Sequence, residues 1–363
     1  MNIKSLLLGS AAALAAVSGA HAADAIVAAE PEPLEYVRIC DAYGAGYFFI
    51  PGTETCLKIG GRVRSEGQWF DAYNPNSKNG TLWHTRAELS VDTATDTEYG
   101  PLKTNTVIRW DWNDGNSTAT KLLFANISLG GFLVGKADSQ YNSYIGYAGD
   151  VINDDVIYDG PYELNQLTYN YDAGNGFTAM VSLEDSNSSG SGASYGSSWW
   201  TDDKSNHYAP DVVAGAGFKS GAWGFKVVGG YDSIVEEGAV KARIDADFGV
   251  FSAFLMGGYN TDGKKLNKYA GTNLDRSACP IADASKCGWG DWAVWGGASV
   301  PINEKLKWNL QLAYTDSKIF AATTNLKWNP VKNLLIEPEV SYTNFDSVNQ
   351  DQWAGILRFE RSF

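Results

Sequence analysis

The sequence predicts an all-β fold, a transmembrane antiparallel β-barrel of about sixteen strands. Three observations point there. Apolar and polar residues alternate with period two in segment after segment, and the polar face is repeatedly charged. The chain carries 13 Trp, 19 Tyr, 15 Phe and 39 Gly, yet no apolar run approaches the ~20 residues that a membrane helix needs. The connections between alternating segments are short turns in some places and long polar stretches in others, the habit of an outer-membrane barrel.

Segment 57–69 opens the series. Leu57, Ile59, Val63 and Trp69 fall on one face, and Lys58, Arg62, Arg64, Glu66 and Gln68 on the other. In 83–93, Trp83, Ala87, Leu89 and Val91 alternate with His84, Arg86, Glu88, Ser90 and Asp92. In 102–112, Leu102, Ile108, Trp110 and Trp112 oppose Lys103, Arg109 and Asp111. Segments 119–129 and 132–138 follow with weaker alternation. A hairpin joins 165–172 to 177–184 across DAGNG, with Phe177, Ala179, Val181 and Leu183 on one face. Another joins 211–219 to 222–232 across SGA. Segment 239–248 sets Val240, Ala242, Ile244, Ala246 and Phe248 against Lys241, Arg243, Asp245 and Asp247. Segment 250–260 answers with Phe251, Ala253, Leu255 and Tyr259. Segments 291–300, 306–315, 319–328, 334–343 and 352–363 complete the set. A sandwich buries its apolar face in a compact core and rarely needs so many strands. Lipid outside and water inside accounts for Arg and Lys on the inward face of strand after strand.

The ends agree. MNIKSLLLGSAAALAAVSGAHAADA has a basic n-region at Lys4, a short apolar core and the small-x-small site Ala20-His21-Ala22, so residues 1–22 are expected to be a secretory signal peptide. Residues 23–363 show no linker or composition shift and are expected to form one barrel domain, with 23–55 an N-terminal segment outside the strand pattern. The C-terminal QWAGILRFERSF puts Trp353, Leu357 and Phe359 on one face and ends on Phe363, with Arg361 breaking that face.

Composition also excludes function classes. A net charge of -14 argues against a nucleic-acid partner. After export only His84 and His207 remain, one on a predicted lumen face and one in a polar loop. No nucleophile–base constellation or phosphate loop accompanies them, so neither an enzyme nor a cofactor is expected. The four cysteines, Cys40, Cys56, Cys279 and Cys287, lie in the exported part, where disulfides form. Cys40–Cys56 and Cys279–Cys287 each close a short loop, but three connectivities are open to four cysteines. Their spacing and that of the histidines fit no zinc site.

The connection 139–163 differs from the other long ones. It contains Asp150, Asp154, Asp155, Asp159 and Glu163, and no Lys, Arg or His occurs between Lys136 and Lys204. Val151, Ile152, Val156, Ile157 and several tyrosines are interleaved with these acids, and disordered segments lack such residues. A connection this long that carries apolar side chains needs something to pack on, and the inner barrel wall is available. Segment 185–209, with SNSSGSGASYGSS, reads instead as a flexible exposed loop. The acids do not have the D-x-D-x-D-G spacing of a calcium loop.

Four blocks then resemble one family. EYVRICDAYGAGYFFIPGTETCLKIGGRVR (35–64), GYAGDVINDDVI (146–157), GDWAVWGG (290–297) and RFERSF (358–363) are similar, in order, to the alphaproteobacterial porins of the Brucella and rhizobial type. The resemblance spans the chain and is weakest in 185–209 and 261–290, the second of which holds Cys279 and Cys287. It implies a sixteen-stranded general diffusion porin in the outer membrane, in contact with lipid and assembled as a homotrimer. It also implies that the third loop, 139–163, folds inward and narrows the pore. The expected constriction sets the loop acids against wall bases Lys58, Arg62, Arg64, Arg86 and Arg109, with Lys241 and Arg243 further round. A transverse field between the two arrays admits small polar solutes and ions. A solute-specific sugar channel and a surface receptor or adhesin are the alternatives.

Overall fold

The computed structural model describes residues 37–71, 80–113, 116–117, 120–154, 157–186, 208–272, 283–346 and 349–363. Residues 1–36, with the expected signal peptide 1–22, and Asp155, His207 and Cys279 lie outside these ranges, and with Cys279 goes the expected Cys279–Cys287 bridge.

Sixteen strands close into one antiparallel barrel. They are β1 (Cys56–Phe70), β2 (Gly80–Thr95), β3 (Leu102–Asn113), β4 (Lys121–Leu129), β5 (Phe132–Asp138), β6 (Glu163–Asp172), β7 (Phe177–Glu184) and β8 (Asp211–Ser220). The second half is β9 (Trp223–Asp232), β10 (Glu237–Asp247), β11 (Ser252–Asn260), β12 (Trp292–Asn303), β13 (Leu306–Thr315), β14 (Ile319–Trp328), β15 (Leu334–Phe345) and β16 (Gln350–Ser362). Two further two-residue strands, Phe48–Phe49 and Asn116–Ser117, pair at the margins. Each strand pairs with its sequence neighbours, and β16 closes on β1 from Ala354 opposite Phe70 to Ser362 opposite Arg62. Closure is obligatory in lipid, where an open edge would leave unpaired backbone groups with no water to satisfy them.

The period-two pattern sorts the two faces. Ile59, Val63, Trp83, Trp110, Val181, Leu255 and Leu357 are each at least two-fifths exposed, as a lipid-facing band requires. Their neighbours Arg64, Glu66, His84, Glu88, Asp111, Lys241 and Glu339 are buried. Arg361 sits at the end of the last strand, where its guanidinium donates to the Lys332 carbonyl at 3.2 Å, so it belongs to the rim and not to the lipid band.

The described part of segment 23–55 forms a small hairpin at the start of β1. Ile39 bridges Phe48, Phe48–Phe49 pairs with Leu57 and Cys56, and a disulfide joins Cys40 to Cys56 with Cα atoms 6.0 Å apart. Tyr43 donates to Asp96 at 2.6 Å, tying the hairpin to the short turn after β2. The rims are less uniform than the sequence suggested. Asp316–Lys318 and Ser233–Glu236, on the rim of the long loops, are as short as the turns opposite.

Candidate functional site: the constriction loop and its facing wall

The connection between β5 and β6 enters the barrel. At its neck the Ser139 amide donates to the Tyr162 carbonyl at 3.0 Å, bringing the two ends together. A one-turn helix, α1 (Gln140–Ser143), follows, and the Ser139 hydroxyl accepts from the Tyr141 amide as its cap. Buried Glu184 of β7 accepts from the Ser139 hydroxyl at 2.8 Å and the Gln140 amide at 2.9 Å. The neck closes at Gly160, whose φ of +134° suits glycine and where a Cβ would lie 2.6 Å from the Tyr141 ring.

From there the loop crosses the wall of β9 to β15, and strand side chains hold its backbone. Lys226 donates to the Tyr144 carbonyl at 2.6 Å, and Arg243 to the Tyr147 carbonyl at 2.5 Å. Glu339 accepts from the Ile152 amide at 2.5 Å and the Asn153 amide at 2.8 Å. Gln311 donates to the Asp154 carbonyl at 3.1 Å, and Thr323 to the Asn153 carbonyl at 3.1 Å. Ile145, Ile157 and Tyr158 are buried, so the interleaved apolar residues do pack on the wall. The Trp295 indole donates to the Ile157 carbonyl at 3.3 Å and the Trp289 indole to the Tyr158 carbonyl at 2.6 Å. A cavity of 890 Å³ remains between loop and wall, lined among others by Tyr144, Tyr147, Lys226, Arg243, Asp245 and Phe254.

The five acids separate. Asp150 bonds to both Lys307 of β13 and Lys327 of β14, neither of which the sequence singled out. Burial alone would raise its carboxyl, but the two lysines outweigh burial and hold it below the usual range. Asp159 is fully enclosed, and burial pushes its carboxyl up while the Lys241 charge works against that shift. The Asp154 side chain is half-buried. Glu163 is the first residue of β6 and is buried opposite Asp138. Asp155 lies outside the described residues.

The predicted bases divide as well. Lys241 and Arg243 lie beneath the loop and seat it. Lys241 Nζ donates to Asn142 Oδ1 at 2.7 Å and the Asp159 carbonyl at 2.5 Å, and sits 4.3 Å from the centre of the Tyr141 ring. Lys58 lies over the Tyr47 ring at 5.7 Å, beside the N-terminal hairpin. Arg62, Arg64, Arg86 and Arg109 line the inner wall of β1 to β3, each bonded to a carboxylate of the same wall. Arg62 reaches Glu88 at 2.5 Å, Arg64 reaches Glu360 at 2.7 Å, and Arg86 and Arg109 reach Asp111 at 2.7 Å and 3.2 Å. They are one half of a mixed wall rather than a bare array of positive charge. The reason is pairing: strand neighbours stand side by side, and opposite charges placed there find each other first.

Sequence reasoning also missed a second in-folded stretch. Leu266 to Ala270 of the connection 261–291 are buried, and Tyr269 packs on Tyr141 with ring centres 4.9 Å apart. Lys268 pairs with buried Asp211 at 2.5 Å, and its carbonyl accepts from the Tyr158 hydroxyl at 2.6 Å. Only Leu266, Tyr269 and Ala270 inside a polar loop signalled it. The Glu339 clamp was more legible, because LLIEPEVSY alternates acids with apolar residues in a strand.

Comparison with known proteins agrees with this geometry. A family profile described as "Porin subfamily" matches residues 24–358. Porin Omp2b of Brucella neotomae is 44% identical over 383 residues, covering 100% of each chain, and Porin Omp2b of Brucella suis biovar 1 (strain 1330) is 43% identical over the same span. Among solved structures, the outer membrane channel DcaP of Acinetobacter baumannii has a TM-score of 0.64 at 16% identity, covering 87% of this chain and 99% of its own. The anion-selective porin from Comamonas acidovorans has a TM-score of 0.58 at 12% identity, with 85% and 100% covered. At such identities these two speak for the fold alone, whereas the profile and the Brucella relatives match nearly the whole sequence. The chain belongs to the porin subfamily.

Proposed function

We propose that this outer-membrane porin is a passive, water-filled channel for small hydrophilic solutes and ions, with a charged constriction between loop 139–163 and the inner wall of β16, β1, β2 and β3. The observation that carries this is the seating of the loop. It lies inside the barrel, bonded to β7, β9, β10, β13, β14 and β15, so the uncovered wall is the charged one. Fixed charge on both sides of a narrow passage favours hydrated solutes and resists apolar ones. Three such barrels pack as a homotrimer, and residues 1–22 direct export and are removed near Ala22. The barrel does no chemistry and carries no cofactor.

The test is conductance of the purified protein in planar bilayers. Discrete steps are expected, and Asp154→Asn is expected to make the pore less cation-favouring in reversal potential under a salt gradient. Folded protein without steps or liposome swelling would leave the receptor or adhesin alternative. Block of the ion current by one sugar at low concentration would narrow the channel to that solute.

A further inference from the structure

The lumen wall carries a continuous chain of charged contacts that begins on the loop. Asp150 bonds to Lys327 of β14, which lies 3.7 Å from Glu337 of β15. Glu337 lies 3.7 Å from Arg358 of β16, and Arg358 bonds to Glu66 of β1 at 2.5 Å. The next member is His84 of β2. Its Nδ1 lies 3.1 Å from Glu66 Oε2 and its Nε2 lies 2.8 Å from Asp111 Oδ1 of β3. The chain thus crosses six strands with charges alternating in sign, and His84 is its one imidazole.

Both ring nitrogens of His84 face carboxylate oxygens. A neutral imidazole has one N–H and one lone pair, whereas ionised carboxylates only accept. A ring that donates to both carboxylates at once is therefore the imidazolium. Arginines surround both carboxylates. Glu66 also receives Arg358 and lies 3.7 Å from Arg64 of β1. Asp111 receives Arg86 of β2 and Arg109 of β3, and both of these arginines also lie within 4 Å of Glu88. Glu360 of β16 completes the group by taking Arg64. Cations and carboxylates on this wall nearly balance, so one proton on His84 is a large share of the net charge that a passing ion meets.

We propose that His84 sets the ion selectivity of the pore: charged, it links the β16–β1 and β2–β3 halves of the wall and favours anions, and on losing its proton it turns one ring lone pair toward a carboxylate oxygen and shifts the pore toward cations. This rests on the channel function proposed above. The experiment is reversal potential under a potassium chloride gradient at pH 5 and pH 9.5, for wild type, His84→Gln, His84→Asn and His84→Arg, with heat-modifiable mobility on gels as the folding check. At pH 5 wild type and His84→Arg are expected to favour anions more than the Gln and Asn variants, by roughly twofold in permeability ratio. At pH 9.5 wild type is expected to join the Gln and Asn variants while His84→Arg keeps its offset. Wild type coinciding with His84→Gln at pH 5, or keeping an unchanged offset at pH 9.5, overturns the proposal while leaving the channel intact. Absence of steps in wild type overturns both.

Discussion

Deleting residues 149–160 is expected to raise single-channel conductance by roughly twofold or more, since an in-folded segment sets the narrowest cross-section of a channel. The barrel itself should survive. The deletion takes Gly160 from the neck, but the rest of the neck is held independently, by the Ser139–Tyr162 backbone bond and by Glu184 on the Ser139 hydroxyl and Gln140 amide. The deleted part is held by inward-facing side chains such as Glu339, Gln311, Lys307 and Lys327 and by the second in-folded connection through Lys268 and Trp289. These side chains would then face the water-filled lumen, where exposed charges are readily solvated. Unchanged conductance from a folded variant would show that the loop does not set the narrowest cross-section.

The second large effect is expected at Lys241. Its Nζ is buried beneath the loop with Asn142 Oδ1, the Asp159 carbonyl and the face of the Tyr141 ring. Lys241→Met removes the donor to Asn142 Oδ1 and the Asp159 carbonyl, and a buried acceptor left without its donor costs about 1–3 kcal/mol. The Tyr141 ring adds about 2 kcal/mol where its cation is desolvated. We expect the loop of Lys241→Met to leave its seat, seen as noisier open-channel current and a lower melting temperature. Adding Asp159→Asn removes the enclosed carboxyl whose charge Lys241 favoured and should recover part of the loss. Equal current noise in Lys241→Met and wild type would mean that the loop is seated by its other contacts alone.

Both predictions rest on side chains whose facing direction was legible in the sequence and whose partners were not. Alternation puts Lys241 and Arg243 on the opposite face from Val240 and Ile244, because strand side chains point to opposite faces in turn. It does not say that a loop nearly a hundred residues earlier lies on top of them. For the same reason Arg62, Arg64, Arg86 and Arg109 were assigned to the lumen, while their pairing with Glu88, Glu360 and Asp111 awaited the register between strands. Asp150 is the sharpest case. Its lysine partners, Lys307 and Lys327, lie 157 and 177 residues away and meet each other only because β13 and β14 pair there.

The sequence by itself determined the barrel, its approximate strand number, the lipid and lumen faces and the segment that folds inward. Each follows from local rules: period two, turn residues, and apolar side chains that need cover. Only the tertiary structure decided which charges pair, that a second stretch around Tyr269 supports the loop, and that His84 stands between two carboxylates. Those outcomes depend on strand register and on contacts between residues far apart in the chain, and period two does not carry that information.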